Sequence, residues 1–132
     1  MKLLRDVAVR HLLTVDPHAT LRRAAKMMTE RGVGCAVVIE NEKVAGIVTE
    51  RDILRAIASD QRMDETQVAE IMTREVVSGT PGWDIVRAAK AMTDGGFRHL
   101  LVMEMEDPVG IVSLRDLLDN MAAMVQRDAP SA

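Results

Sequence analysis

The sequence predicts a mixed α/β (α+β) fold made of two copies of a β-α-β-β-α unit. Three observations predict it. The chain matches itself without a gap at a shift of 64 residues from about Asp6 to Ala56. Within each copy, helical periodicity alternates with short β-prone runs. The 132 residues, 48% apolar and 28% charged, supply core material for one domain or for two small units sharing a core.

The repeat is dense. Arg23-Ala24-Ala25-Lys26 falls on Arg87-Ala88-Ala89-Lys90, Met28-Thr29 on Met92-Thr93, Gly32 on Gly96, Pro17 on Pro81 and Gly46 on Gly110. Repeats too small to bury their own apolar faces stack on each other, so a body with pseudo-two-fold symmetry and a shared core is expected. The repeats are placed at 6–60 and 68–126, with a linker over 61–67 and a flexible tail over 127–132.

In the first copy, Leu12 to Val15 reads as a short strand ended by Asp16-Pro17, because proline cannot donate to a central ladder. Thr20 then precedes Leu21, Ala24, Ala25 and Met28, the i, i+3, i+4, i+7 stripe of an amphipathic helix with a hydroxyl N-cap. Gly32 stops it. Ala36 to Ile39 and Val44 to Val48 are β-prone runs joined by polar Glu40-Asn41-Glu42-Lys43, an antiparallel hairpin. Thr49 opens a second helix carrying Ile53, Leu54 and Ile57. The polar stretch DQRMDET follows, and Val68 to Met72 is a short helical approach to the second copy. That copy repeats the order: strand Val76 to Ser78, helix Asp84 to Asp94, strands His99 to Met103 and Val109 to Val112, and a helix from Ser113.

Composition narrows the function. Seventeen basic against twenty acidic residues give a net charge of −3, and no long basic block is present, which argues against nucleic-acid binding. One Phe, one Trp and no Tyr leave little on which to stack bases. No run approaches the ~18 to 20 apolar residues of a membrane span, and MKLLRDVAVRH lacks the apolar core of a secretory signal. The expectation is a cytoplasmic protein without a membrane role. The single cysteine, Cys35, allows no intramolecular disulfide and reads as a small buried residue. No catalytic triad, P-loop or metal-ligand spacing is legible, so no enzyme, metal or covalent cofactor is expected.

The joint between strand and second helix is the most distinctive stretch. GIVTERDILR (Gly46–Arg55) returns as GIVSLRDLLD (Gly110–Asp119). Each places a hydroxyl at the helix start and an acid three residues on: Thr49 with Asp52, and Ser113 with Asp116. Two readings stand side by side. The hydroxyl caps the helix, with the acid closing a capping box, or the pair holds a ligand. Arg51 and Arg115 are surface charges or offsets for ligand phosphate. Trp83, after Pro81-Gly82, is either a dimer anchor or simply half-buried.

A tandem β-α-β-β-α pair carrying these two motifs, together with Ile71-Met72-Thr73 and GGFRHLLV, resembles the cystathionine-beta-synthase (CBS) domain pair, or Bateman module, over roughly Asp6 to Met124. The resemblance implies two three-stranded sheets packed together with helices outside, and clefts between the repeats that take adenosine-type ligands: AMP, ADP, ATP or S-adenosylmethionine. It implies that Asp52 and Asp116 accept the ribose hydroxyls beside Thr49 and Ser113. The cleft using Thr49 and Asp52 would borrow Thr80, Ile85, Phe97, Arg98 and His99, and the one using Ser113 and Asp116 would borrow Asp16, Leu21, Val33, Gly34 and Cys35. Phosphate is expected near Arg98 and His99. Also implied are a homodimer meeting through Met27, Met28, Ala91, Met92, Ile53, Leu117, Met121 and Met124, and an effector protein that reads the bound state. A ligand-free dimerisation and interaction module is the alternative.

Overall fold

The computed structural model describes residues 2–128, and the tail expected to be flexible lies outside them except for residues 127 and 128, which continue the last helix. Twelve elements follow in the order α1 (Leu4–Val7), β1 (Thr14–Val15), α2 (Leu21–Arg31), β2 (Cys35–Glu40), β3 (Lys43–Thr49), α3 (Glu50–Ala58), α4 (Val68–Ile71), β4 (Ser78–Gly79), α5 (Ile85–Gly95), β5 (His99–Glu104), β6 (Asp107–Ser113) and α6 (Leu114–Asp128). They make two three-stranded sheets, β1-β2-β3 and β4-β5-β6, each with one parallel and one antiparallel pairing.

The chain divides into two units. Among the described residues, the first is His11–Val76, and the second joins residues 2–10 to residues 77–128. These units do not follow the sequence repeats. In sequence, Val68 opens the second repeat. In space, α4 completes the first unit, where Val68 is fully buried beside Leu21, Ala24 and Val48. In the same way α1 completes the second unit, with Leu4 fully buried beside Ile85, Leu100 and Leu117.

The two closures use the same bonds. Val68 N–H donates to the Ala19 carbonyl at 2.8 Å and Ala69 N–H to Pro17 at 2.9 Å; Leu4 donates to Trp83 at 2.8 Å and Arg5 to Pro81 at 3.1 Å. Just beyond each short helix the chain adds a bridge to the sheet, Thr73 on Ile47 and Val9 on Ile111, each through two reciprocal backbone bonds. Gly46 and Gly110 permit this approach. A Cβ on Gly46 would stand 2.6 Å from the Thr73 carbonyl oxygen, and one on Gly110 would stand 3.0 Å from the Ala8 Cβ.

Residues 61–67, expected as a linker, are bonded to α2. Its first amides, Leu21 and Arg22, donate to the Thr66 and Met63 carbonyls at 3.0 Å, and Thr20 Oγ1 accepts from Arg23. Arg22 also pairs with Asp64. Helix N-termini leave such donors unsatisfied, which is why polar DQRMDET folds back here.

Helix α2 ends where expected, at Gly32, and α5 runs one residue past the expected Asp94 to end at Gly96; both glycines are left-handed, with φ of 65° and 72°. The hairpin between β2 and β3 is tighter than the sequence suggested. Only Asn41 and Glu42 lie outside the ladder, both at positive φ (51° and 64°). Such turns favour Asn-Gly. Glu42→Gly is therefore expected to raise stability by about 1 kcal/mol, readable as a higher midpoint in urea.

Helix α3 forms after Thr49 as expected, and only part of its apolar set faces inward. Ile53 and Ala56 are its buried residues, whereas Leu54 and Ile57 are 66% and 55% exposed. The dimer face is corrected. Met28, Met92, Ile53 and Leu117 are buried within their own units, so they present no surface to another chain. Trp83 is half-buried, packed on Gly79 and Leu4 with the Arg87 guanidinium 4.1 Å from its ring centroid. At the equivalent places the first unit has Ala19 and Val15, so a large-small pair has changed places.

Candidate functional site

In each unit the hairpin register sets the joint. Strand β2 begins opposite the end of β3, with Cys35 paired to Thr49, and β5 begins opposite the end of β6, with His99 paired to Ser113. The next residue closes the corner: Glu50 N–H donates to the Gly34 carbonyl at 2.9 Å, and Leu114 N–H to the Arg98 carbonyl at 2.8 Å. The hairpins therefore gather Gly34, Cys35, Thr49, Arg51 and Asp52 in the first unit, and Arg98, His99, Ser113, Arg115 and Asp116 in the second.

A capping box is formed at the first joint. Asp52 N–H donates to Thr49 Oγ1 at 3.2 Å, while Asp52 Oδ2 accepts from the Thr49 amide at 2.9 Å and from its hydroxyl at 3.1 Å. The second joint is looser on the acid side. Asp116 N–H donates to Ser113 Oγ at 3.0 Å, but the Ser113 amide lies 3.4 Å from Asp116 Oδ2, the long limit of a hydrogen bond. All four side chains are partly exposed. Helix capping thus occurs, and each partly exposed carboxylate retains acceptor capacity for a further donor.

Residues flanking the joints differ. Phe97 is half-buried against the second unit's core, and Gly95 must lack a Cβ because its ring would stand 2.3 Å away. Val33 is 39% exposed. Arg98 is exposed and His99 partly so. Asp16 and Thr80 are exposed but sit elsewhere in their units. Asp16 follows Val15, which pairs with Val38, and Thr80 follows Gly79, which pairs with Val102. Val38 and Val102 are three strand positions beyond Cys35 and His99, about 10 Å along the sheet, and Asp16 and Thr80 lie one residue further still. The Asp16 carboxylate accepts the His18 amide at 2.8 Å, an Asx turn. Leu21 and Ile85 are fully buried and present no surface to a ligand.

Sequence reasoning passed over Glu50. Its carboxylate oxygen stands 3.0 Å from where a Gly34 Cβ would be, so an acid occupies the strand start in the first unit where the second has Arg98. The only signal was the alignment of Glu50 with Leu114 and of Gly34 with Arg98.

Burial, and then the Asp52 charge, push the Cys35 thiol up to about 12. A thiol that stays neutral is a poor nucleophile, so alkylation of the folded chain at pH 8 is expected to be far slower than after denaturation. The same shift carries a sign. The native state holds its proton above the ordinary value of 9.0, so the Cys35 contribution to stability is full below pH 9 and lost as pH rises toward 12. Cys35→Ala should flatten that alkaline limb in a pH series of melts. Among the described residues no cluster of His, Cys, Asp or Glu could hold a metal ion, and no described helix is long and apolar enough to cross a membrane.

Known proteins show the same architecture. A CBS domain-containing protein of Bacillus subtilis, YhcV, is 33% identical over 91% of this chain and 86% of its own length. The CBS-domain containing protein ATU1752 from Agrobacterium tumefaciens superposes with a TM-score of 0.86 at 29% identity, over 91% of this chain and 99% of that one. The CBS domain protein PAE2072 from Pyrobaculum aerophilum, complexed with AMP, superposes with a TM-score of 0.80 at 25% identity, over 92% and 98%. The CBS domain model itself matches twice, over residues 4–59 and 68–123, and the chain therefore belongs to the CBS domain family, as a tandem pair.

Proposed function

We propose that this chain is a regulatory module that binds an adenosine nucleotide (AMP, ADP, ATP or S-adenosylmethionine), carries out no reaction itself, and passes its occupancy to a separate effector protein. The observation that carries this reading is the doubled joint: a hydroxyl and an acid three residues apart, partly exposed on the first turn of a helix, in both repeats. A carboxylate there can accept two hydrogen bonds from the cis-diol of a ribose, and free amides of a first turn favour anionic groups. Arg51 and Arg115 stand in the same turns. The AMP complex of the Pyrobaculum protein supports the ligand class. A reducing compartment such as the cytoplasm fits the lone buried thiol of Cys35.

One observation favours a second reading, that of a ligand-free dimerisation and interaction module. The Thr49 hydroxyl and Asp52 carboxylate are already engaged in capping α3, and Leu54, Ile57, Leu118 and Val125 leave apolar surface on α3 and α6. Calorimetry with AMP, ADP, ATP and S-adenosylmethionine separates the two. Micromolar to low-millimolar binding, weakened by the Asp52→Ala and Asp116→Ala double variant, is the expected result. Silence at millimolar concentration for all four, with melting unaffected by any of them, sinks the sensor and leaves the interaction module.

A further inference from the structure

Resting on the adenosine-binding reading above, and taking the phosphate to meet the residues of the joint that holds its ribose in place of the cross-repeat sharing that the resemblance implies, we infer that Glu50 is a specificity-determining residue. It makes the first joint select adenosine compounds without phosphate and leaves phosphate-bearing ones to the second.

The two joints share one backbone design, so their charges can be compared place by place. Glu50 and Leu114 each donate an amide to the residue before the strand start, Gly34 and Arg98 respectively. At the first joint the Glu50 carboxylate lies against Gly34. At the second, the same two places hold an isobutyl group and an exposed guanidinium. The first joint therefore carries Glu50 and Asp52 against Arg51, and the second carries Arg98 and Arg115 against Asp116.

The strand starts follow the same contrast, with Cys35 opposite Thr49 and His99 opposite Ser113. The Cys35 thiol is held neutral partly by the Asp52 charge, a sign of negative field at that corner. The acids also differ in how tightly their own boxes hold them, since the Asp52 carboxylate accepts at 2.9 and 3.1 Å whereas the Ser113 amide is 3.4 Å from Asp116. A phosphate monoester brings about 1.5 to 2 negative charges at pH 7. Beside Glu50 these meet a like charge, and beside Arg98 an opposite one. A difference of about tenfold or more in affinity for the same nucleotide follows from one such reversal near a surface.

Calorimetry on the full chain with adenosine and with AMP tests this. Adenosine is expected to fill both joints with similar affinity. AMP should bind in one strong step, removed by Asp116→Asn, and one step at least about tenfold weaker, removed by Asp52→Asn. Glu50→Gln should strengthen the weak AMP step about tenfold while leaving adenosine unchanged. The pair Gly34→Arg with Glu50→Leu, which installs the second joint's residues, should bring the two AMP steps together. Melting curves check that each variant is folded, and if the pair is not, Glu50→Gln alone decides.

Two equal AMP steps in the unaltered chain, or a weak step indifferent to Glu50→Gln, overturn the inference while the adenosine-binding reading stands. No heat with either adenosine or AMP overturns the inference, and silence of ADP, ATP and S-adenosylmethionine as well overturns the adenosine-binding reading.

Discussion

Gly46→Ala is expected to lower the free energy of unfolding by about 2 to 3 kcal/mol, more than Gly110→Ala. The added methyl at Gly46 would stand 2.6 Å from the carbonyl oxygen of Thr73, a residue held by two reciprocal backbone hydrogen bonds to Ile47, with the Met72 side chain 3.0 Å away. Neither neighbour can yield without opening the bridge. At Gly110 the nearest atom is the Ala8 Cβ at 3.0 Å and the Val9 carbonyl lies at 3.3 Å, so a shift of a few tenths of an ångström suffices. Urea unfolding of the two variants against the parent measures both the size and the order of the effects. Equal losses, or a Gly46→Ala midpoint unchanged, would show that the bridge is not held as tightly as its bonds indicate.

Leu4→Ala is expected to cost about 2 to 5 kcal/mol, the range for deleting a fully buried leucine side chain. The size matters because Leu4 precedes every strand of the fold by at least ten positions in sequence. It is nonetheless wholly enclosed with Ile85, Ala88, Leu100 and Leu117, contributed from far along the chain. Val9→Ala is the matching control. Val9 is 47% exposed and holds the sheet through its backbone, which alanine retains, so its loss should stay within about 0.5 kcal/mol. If Leu4→Ala melts like the parent, α1 is a dispensable attachment rather than part of the core.

The order of elements was legible because both periodicities are strong: Leu21, Ala24 and Met28 lie on one helical stripe, and Ala36 to Ile39 form a run bounded by turn residues. The repeat at 64 residues made each reading a check on its twin. The destinations of α1 and α4 were not legible. A helix such as LRDV or VAEI buries a single residue, and one buried residue states that something covers it without stating what. Which way Leu54 and Ile57 face was not legible for a related reason. On a nine-residue helix the inward face needs only Ile53 and Ala56, and apolar type alone does not fix orientation.

At the joint, Thr49 and Asp52 were visible as a pair because spacing alone defines a capping box, and the box is present. Glu50 was invisible because its meaning lies in the hairpin register. Only the pairing of Cys35 with Thr49 places it against Gly34.

The exchanged closures also order assembly in time. Residues 11–76 are continuous, so the first unit has all its parts as soon as Thr73 is available to bridge Ile47. The second unit must wait. Its first helix is made early but finds Trp83 and Ile85 only after about 80 further positions have been added, and Val9 finds Ile111 later still; closing so long a loop is entropically costly and slow. During synthesis, Leu4 thus stays uncovered until the far end of the chain arrives, a window in which a chaperone or another copy of the same segment competes for it.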